Sequence, residues 1–289
     1  MYLALDAYVC RRPTLEDTLA AVSAHGIRAV QWSLACIPGL QALPRSLSAE
    51  SCAQVRSAAD AAGLRLASVS GTYNMAHPDP AHRAEGARRL RGVIAACPRL
   101  GADIVTLCTG TRNRESMWSP HPDNGSPEAW RDLLESLASV LPEAEAQGVT
   151  LAVEPEVSNV IDSAARARRL LDEVGSPRLG VCIDGANLFR TGELSRMDAI
   201  LDEAFSLLGR DIVLAHAKDL DHDGAAGDLP AGHGRLDYPH YLGLLHGLGF
   251  AGAVVLHGLS EEQVDGCSAF VRTGIAAAER GKSAQTRRA

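Results

Sequence analysis

A chain of 289 residues with 46% hydrophobic and 22% charged side chains has enough apolar material for a large core, which excludes a disordered chain. Its formal net charge of -7 gives no general attraction to a polyanion, so nucleic acid is disfavoured as a partner. The stretch Met1 to Asp6 lacks a basic region followed by an apolar run, and no apolar run could span a bilayer; the expectation is a soluble, cytoplasmic protein without a membrane partner.

Read in chain order, short apolar or β-branched runs alternate with longer amphipathic stretches. A first strand is predicted over residues 2–6 and a helix over 14–25, then a strand over 28–33 and a helix over 48–62 that stops at Gly63. Strands at 65–70 and 103–108 flank a helix at 80–99, and a helix at 127–147 stops at Gly148. The rhythm repeats with a strand at 149–154, a helix at 163–174 before Gly175, a strand at 179–184 and a helix at 193–208 before Gly209. It ends with a strand at 212–217, a helix at 238–248 before Gly249, a strand at 252–257 and a last helix from about Glu261. A glycine just past a helix takes the left-handed cap conformation and lets the next strand begin at once.

Eight strands alternating with helices mean a parallel sheet with crossover connections. The first strand-to-helix turn, residues 7–14, has no Gly-x-Gly-x-x-Gly, so an open dinucleotide-binding sheet loses its best support. The fold class expected is α/β, a single (β/α)8 TIM barrel over residues 1–280 with a flexible polar tail over 281–289. The long connection 109–126, with Trp118, Pro120, His121 and Gly125, suggests a lid. Seven scattered cysteines without a Cys-x-x-Cys pair read as reduced, mostly core thiols.

Function is read from where polar residues end strands. Glu154 closes the fifth strand, Asp184 the sixth, His216 lies at the end of the seventh and His257 closes the eighth. In a closed parallel barrel all carboxyl ends meet on one face, so these four converge. Two oxygen and two nitrogen donors suit Mn2+, Fe2+, Co2+ or Zn2+ better than Mg2+. Each acid taken alone could equally be a helix cap or a salt-bridge partner; the repetition at four successive strand ends is what argues for a metal.

The stretches GVTLAVEPE (148–156), LGVCIDGANL (179–188), LAHAKD (214–219), AGHGRLDYP (231–239) and GAVVLHGL (252–259) resemble the xylose isomerase-like barrels called sugar phosphate isomerases/epimerases. The likeness covers nearly the whole chain and is strongest in its second half. The resemblance implies a divalent metal, most often Mn2+, held by Glu154, Asp184 and His216, with His257 where the family has a second glutamate. Asn187 stands where many relatives have histidine.

From these residues the expected activity is isomerisation or epimerisation of a small sugar or sugar-like ketose through an enediolate, with a small polyhydroxylated substrate as partner. Glu154 is the first candidate base, with His257 and Lys218 as further catalytic candidates. Glu156, Asn187, His77, His233 and Arg112 are substrate-binding candidates, and Arg114 could serve a substrate anion. Lys218 could instead be a rim lysine paired with Asp219. A dehydratase or other lyase acting on a cyclic polyol ketone is the alternative, and a non-catalytic sugar-binding barrel a further one. Cleavage of abasic DNA, which an endonuclease branch of the resembling barrels performs, is disfavoured by the acidic charge and by the fourth strand's ending Leu107-Cys108-Thr109-Gly110. A homo-oligomer is left open.

Overall fold

The structure, a computed structural model, describes residues 1–286. Eight parallel strands close into one barrel: β1 (Tyr2–Asp6), β2 (Ala29–Trp32), β3 (Arg65–Ser70), β4 (Ile104–Cys108), β5 (Thr150–Glu154), β6 (Leu179–Asp184), β7 (Ile212–Asp219) and, after a two-residue strand β8 (Leu229–Pro230), β9 (Ala253–Leu256). Each barrel strand pairs with its chain neighbour, β7 pairs with β9, and β9 with β1 completes the ring. β8 lies antiparallel on Lys218 and Asp219 at the end of β7, an addition the sequence reading did not anticipate.

The strands are apolar on both faces because both are covered: one by the barrel interior, the other by the helices. α1 (Leu15–Ala24), α2 (Ala49–Ala61), α3 (Pro80–Leu100), α4 (Pro127–Ala138), α5 (Leu141–Gln147), α6 (Ala164–Val174), α7 (Met197–Leu208), α8 (Tyr238–Gly247) and α9 (Val264–Thr286) form the outer ring. Ser48, Asp79, Ser126 and Ser163 cap their helices by accepting a hydrogen bond from a first-turn amide, satisfying donors that have no partner in the helix. Gly101 and Gly148 follow α3 and α5 with φ of 77° and 68°, a backbone state that a β-carbon would strain.

The predicted helix over 127–147 is two helices. Pro142 has no N–H to give the Ala138 carbonyl, so the chain restarts as α5 with proline in its first turn. The last helix runs on to Thr286, and the end of the expected tail, 287–289, lies outside the described residues. Among the described residues no helix is long and apolar enough to cross a membrane. All seven cysteines are buried and free.

Strand register decides what gathers at the mouth. Cys108 pairs with Glu154, and Asp184 with His216. Ala217 pairs with Leu256, so His257 continues alongside Lys218 at the rim. Side chains two apart on a strand share a face, which turns His216 and Lys218 the same way.

Candidate metal and substrate site

The structure brings Glu154, Asp184, His216 and His257 together at the carboxyl ends of β5, β6, β7 and β9. His216 Nδ1 lies 3.4 Å from Glu154 Oε2 and 3.9 Å from Asp184 Oδ2, while His257 Nε2 lies 3.2 Å from Asp184 Oδ2. The two imidazole rings stand 4.2 Å apart between centroids. Asp184 is wholly buried and Glu154 and His216 nearly so. Lys218 Nζ reaches to 3.6 Å of Asp184 Oδ2.

The tautomer of His216 is set from behind. Its Nε2 is 3.1 Å from Gln31 Oε1, which also accepts from the Ser68 hydroxyl at 3.2 Å. An amide oxygen only accepts, so Nε2 carries the proton and donates it. That leaves Nδ1 turned to two carboxylates, buried and with no hydrogen-bond partner. Only a cation, a proton or a metal, satisfies such a point, and a ligand histidine oriented by an outer acceptor is the usual arrangement at protein metal sites.

The charge balance points the same way. Burial disfavours the Asp184 carboxylate, yet Lys218, His257 and His216 outweigh it and hold its pKa well below the usual range. Burial likewise opposes charge on Glu154, and His216 beside it brings the net shift downward. His216 itself is raised: burial works against its charged form, but Glu154 and Asp184 prevail. His257 is lowered by burial and by the neighbouring His216, so it is a neutral imidazole near pH 7. Asp184, His216 and His257 bring one donor atom each within 4.8 Å of one another, and so do Glu154, Cys182 and His216; with the orphaned Nδ1, the mouth has the donor chemistry to hold a divalent cation.

A cavity of about 510 Å3 opens over these residues. Gln31, Thr72, Cys108, Glu156, Asn187 and Lys218 contribute polar groups to it, and Met117 and Trp118 from the long β4–α4 connection lie at its wall. Trp118 is 59% exposed, an apolar plate on the segment read as a lid. Asn187 donates to Glu154 Oε1 at 2.6 Å and accepts from the Gly227 amide at 3.0 Å. At Gly227 a β-carbon would come within 2.5 Å of the Asp219 carbonyl and 2.6 Å of the Ala186 β-carbon, so only glycine brings that amide to Asn187. Glu156 accepts from the Ser158 amide at 2.9 Å and from the Asn159 side chain, and burial raises its pKa. A second cavity, about 860 Å3, lies at the amino ends of the strands around Tyr2, Arg28 and Arg65. It carries none of these ligands, and that end of such barrels serves stability.

Lys218 is not paired with Asp219. The Asp219 carboxylate accepts from the amides of Leu220, Gly232 and Leu236 at 2.9, 3.1 and 2.9 Å, which frees the ammonium to face Asp184. Burial disfavours that ammonium, yet Asp184, Glu154 and Glu156 raise its pKa above the ordinary value.

Three residues expected to bind substrate lie away from the cavity lining. Arg112 donates to Asp132 Oδ2 at 2.7 Å and to the Ala76 carbonyl at 2.9 Å, which ties the root of the long loop to α4. His77 accepts from the Asp79 amide at 3.0 Å and stacks on His82. His233 is exposed in the turn before α8. Arg114 is exposed on the loop as well. Their positions in mouth loops were legible; their side-chain partners, set by distant residues, were not.

Asp132 gathers Arg83 Nη1 at 3.1 Å as well as Arg112. Burial raises its pKa, and these guanidinium groups more than reverse the shift. A carboxyl whose folded pKa lies below its unfolded value, about 3.9, contributes stability above that value and loses it as pH falls through the folded one. Asp132→Asn is therefore expected to cost about 3 kcal/mol at pH 7 in denaturant unfolding, because two part-buried cations lose their partner. The difference from wild type should shrink on acidification below about pH 4; an unchanged midpoint at pH 7 would count against the cluster.

Sequence reasoning also missed Gln31, Cys108, Met117 and Asp6 as neighbours of the site. Asp6 ends β1 and is raised by burial, a shift that its own backbone hydrogen bond from Tyr8 and the charges of His257 and His216 oppose. The strand-end rule applied to the first and fourth strands would have found Asp6 and Cys108. Gln31, a lone amide within Ala29–Trp32, was a signal too.

A family model described as xylose isomerase-like TIM barrel matches residues 19–272. Among solved structures the chain is similar to a D-tagatose 3-epimerase-like protein, at TM-score 0.78 and 14% identity over 97% of this chain and 99% of that one. It is similar to an L-ribulose 3-epimerase at TM-score 0.75 and 19% identity, over 98% and 97% of the two chains. It is also similar to 3-keto-D-glucoside 4-epimerase from E. coli at TM-score 0.72 and 16% identity, over 94% and 98%.

Proposed function

Because the chain belongs to the xylose isomerase-like TIM barrel family, we propose that it is a divalent-metal-dependent isomerase or epimerase of a small, uncharged sugar or sugar-like ketose. The observation that carries this reading is the buried Nδ1 of His216, which faces Glu154 and Asp184 and has no hydrogen-bond partner. The structural neighbours named as sugar epimerases support the substrate class.

Glu154, Asp184, His216 and His257 would hold the cation, with Mn2+ as the leading choice and Zn2+, Fe2+ or Co2+ as the others. When bound, it supplies Lewis acidity that polarises a substrate carbonyl and makes the adjacent C–H easier to deprotonate. Glu154 is the base: it sits at the cavity floor with one oxygen steadied by Asn187. Lys218, charged and directed into the cavity, donates to the substrate oxygen that gains electron density. His257, in the place of the family's second glutamate, is the group available to move a proton on the opposite side; as a neutral imidazole it can accept one without adding to the negative charge. Glu156, fixed by Ser158 and Asn159, accepts from a substrate hydroxyl, and Trp118 and Met117 cover an apolar face of the sugar.

The substrate is read as unphosphorylated. Lys218 is the one lysine or arginine among the cavity's lining residues, and it already faces Asp184, while Glu154, Glu156 and Asp228 line the same space. An added dianion would meet like charge.

The test combines metal analysis with proton exchange. Protein reconstituted with Mn2+ in D2O is expected to place deuterium at carbon next to the carbonyl of free ketoses in a panel, and at least about tenfold less in their phosphate esters. Mass and NMR of the products distinguish epimers from isomers, and a product lighter by one water would assign the dehydratase reaction instead. Exchange that persists after chelation would overturn the metal-dependent reading.

Asn187→Ala provides a finer check. It leaves the four proposed ligands in place but frees the Glu154 carboxylate, so kcat should fall about 10- to 100-fold, with KM changed far less. A change confined to KM would mean that Asn187 only touches substrate.

A further inference from the structure

A second cluster outside the barrel mouth joins the two ends of the chain. Cys10 ends the short turn Ala7–Cys10 after β1, His25 caps the C-terminus of α1, and Glu261 opens the turn Glu261–Gln263 before α9. One ligand atom from each, thiol sulfur, imidazole nitrogen and carboxylate oxygen, lies within 4.8 Å of the others. None of the three belongs to the site already described.

We propose that Cys10, His25 and Glu261 form a second metal site, for Zn2+ or a similar transition ion, which fastens the first βα unit to the last helix. His25 Nδ1 is 2.7 Å from Asp265 Oδ1, so Nδ1 donates its proton to that carboxylate. Nε2 then faces Glu261 Oε1 at 3.8 Å, too far for a hydrogen bond. Imidazole held by an outer carboxylate and aimed at further donors is how protein zinc ligands are oriented. The thiol of fully buried Cys10 completes a sulfur, nitrogen and oxygen set that selects Zn2+ over Mg2+ or Ca2+.

Tetrahedral zinc with these ligands spaces its donor atoms about 3.3–3.7 Å apart, so side-chain rotations of about an ångström close the site. Binding transfers the Cys10 thiol proton to solvent, and the thiolate and carboxylate then balance the ion's two positive charges. Solvent supplies the fourth ligand, since His25 and Glu261 retain 17% and 28% side-chain exposure. Arg12 Nη2 sits 2.5 Å from Glu261 Oε1. This guanidinium competes with the metal for the carboxylate and sets the affinity, and its side chain, 38% exposed, can swing outward.

The experiment titrates metal-free, reduced protein with Co2+ and, separately, measures bound Zn2+ after dialysis. A thiolate-to-cobalt charge-transfer band is expected in the near ultraviolet. It should disappear in Cys10→Ser and persist in Cys182→Ser and Cys108→Ser, whose thiols lie near the barrel-mouth donors. Zn2+ should fall by one per chain in Cys10→Ser and in His25→Gln, the latter a change at a partly exposed position that guards against misfolding of the former. Arg12→Ala should tighten Zn2+ about tenfold by removing the competitor. Absence of the band, its survival in Cys10→Ser, or unchanged zinc content in both variants would overturn the proposal.

Discussion

Asp184→Asn is expected to empty the barrel mouth of metal and to lower kcat/KM by more than about a hundredfold. Removing residues that only orient a ligand costs metal sites roughly 10- to 100-fold, and Asp184 is proposed as a ligand itself. It is also the hub that Lys218, His257 and His216 share. Asparagine keeps the volume but removes the charge that Lys218 and the metal both need. The same change should leave thermal unfolding of the metal-free protein cooperative, because Asp184 caps only a short turn, through the Ala186 amide at 3.0 Å. Metal content by elemental analysis and deuterium exchange into substrate are the two readouts; full metal occupancy in the variant would remove Asp184 from the ligand set.

Glu154→Gln should separate chemistry from assembly. A positioned general base contributes about 10²- to 10⁴-fold, and an amide cannot take the proton, so C–H exchange should fall through most of that range. Substrate binding, measured through the fluorescence of Trp118 at the cavity wall, should weaken far less. The amide still presents an oxygen to the Asn187 donor and to the cation, so metal occupancy should drop less than in Asp184→Asn. Comparable exchange rates in Glu154→Gln and wild type would transfer the base role to another group, with His257 first in line.

The site's frame was readable because its signals are local. Alternation of short apolar runs with amphipathic stretches marks a parallel sheet, and a polar residue at the last position of a strand is visible without any partner. The nomination of Glu154, Asp184, His216 and His257 rested on this signal. The unexpected break between α4 and α5 also had a local cause, Pro142, which the long amphipathic pattern concealed. Arg112, by contrast, looks the same in sequence whether it meets a substrate anion or, as here, Asp132. The amide of Gln31, 185 positions from His216, fixes that imidazole's tautomer, and no spacing rule links the two.

What the sequence by itself determined was therefore the barrel and the ring of strand-end donors, since strand period and chain order force residues of parallel strands onto one rim. Only the tertiary structure decided which donor faces which: that His216 turns Nδ1 toward two carboxylates, that Lys218 meets Asp184 and not Asp219, and that Cys10 and His25 lie beside Glu261. Such pairings depend on register between strands and on rotamers locked by close packing, and both come into being when the barrel closes.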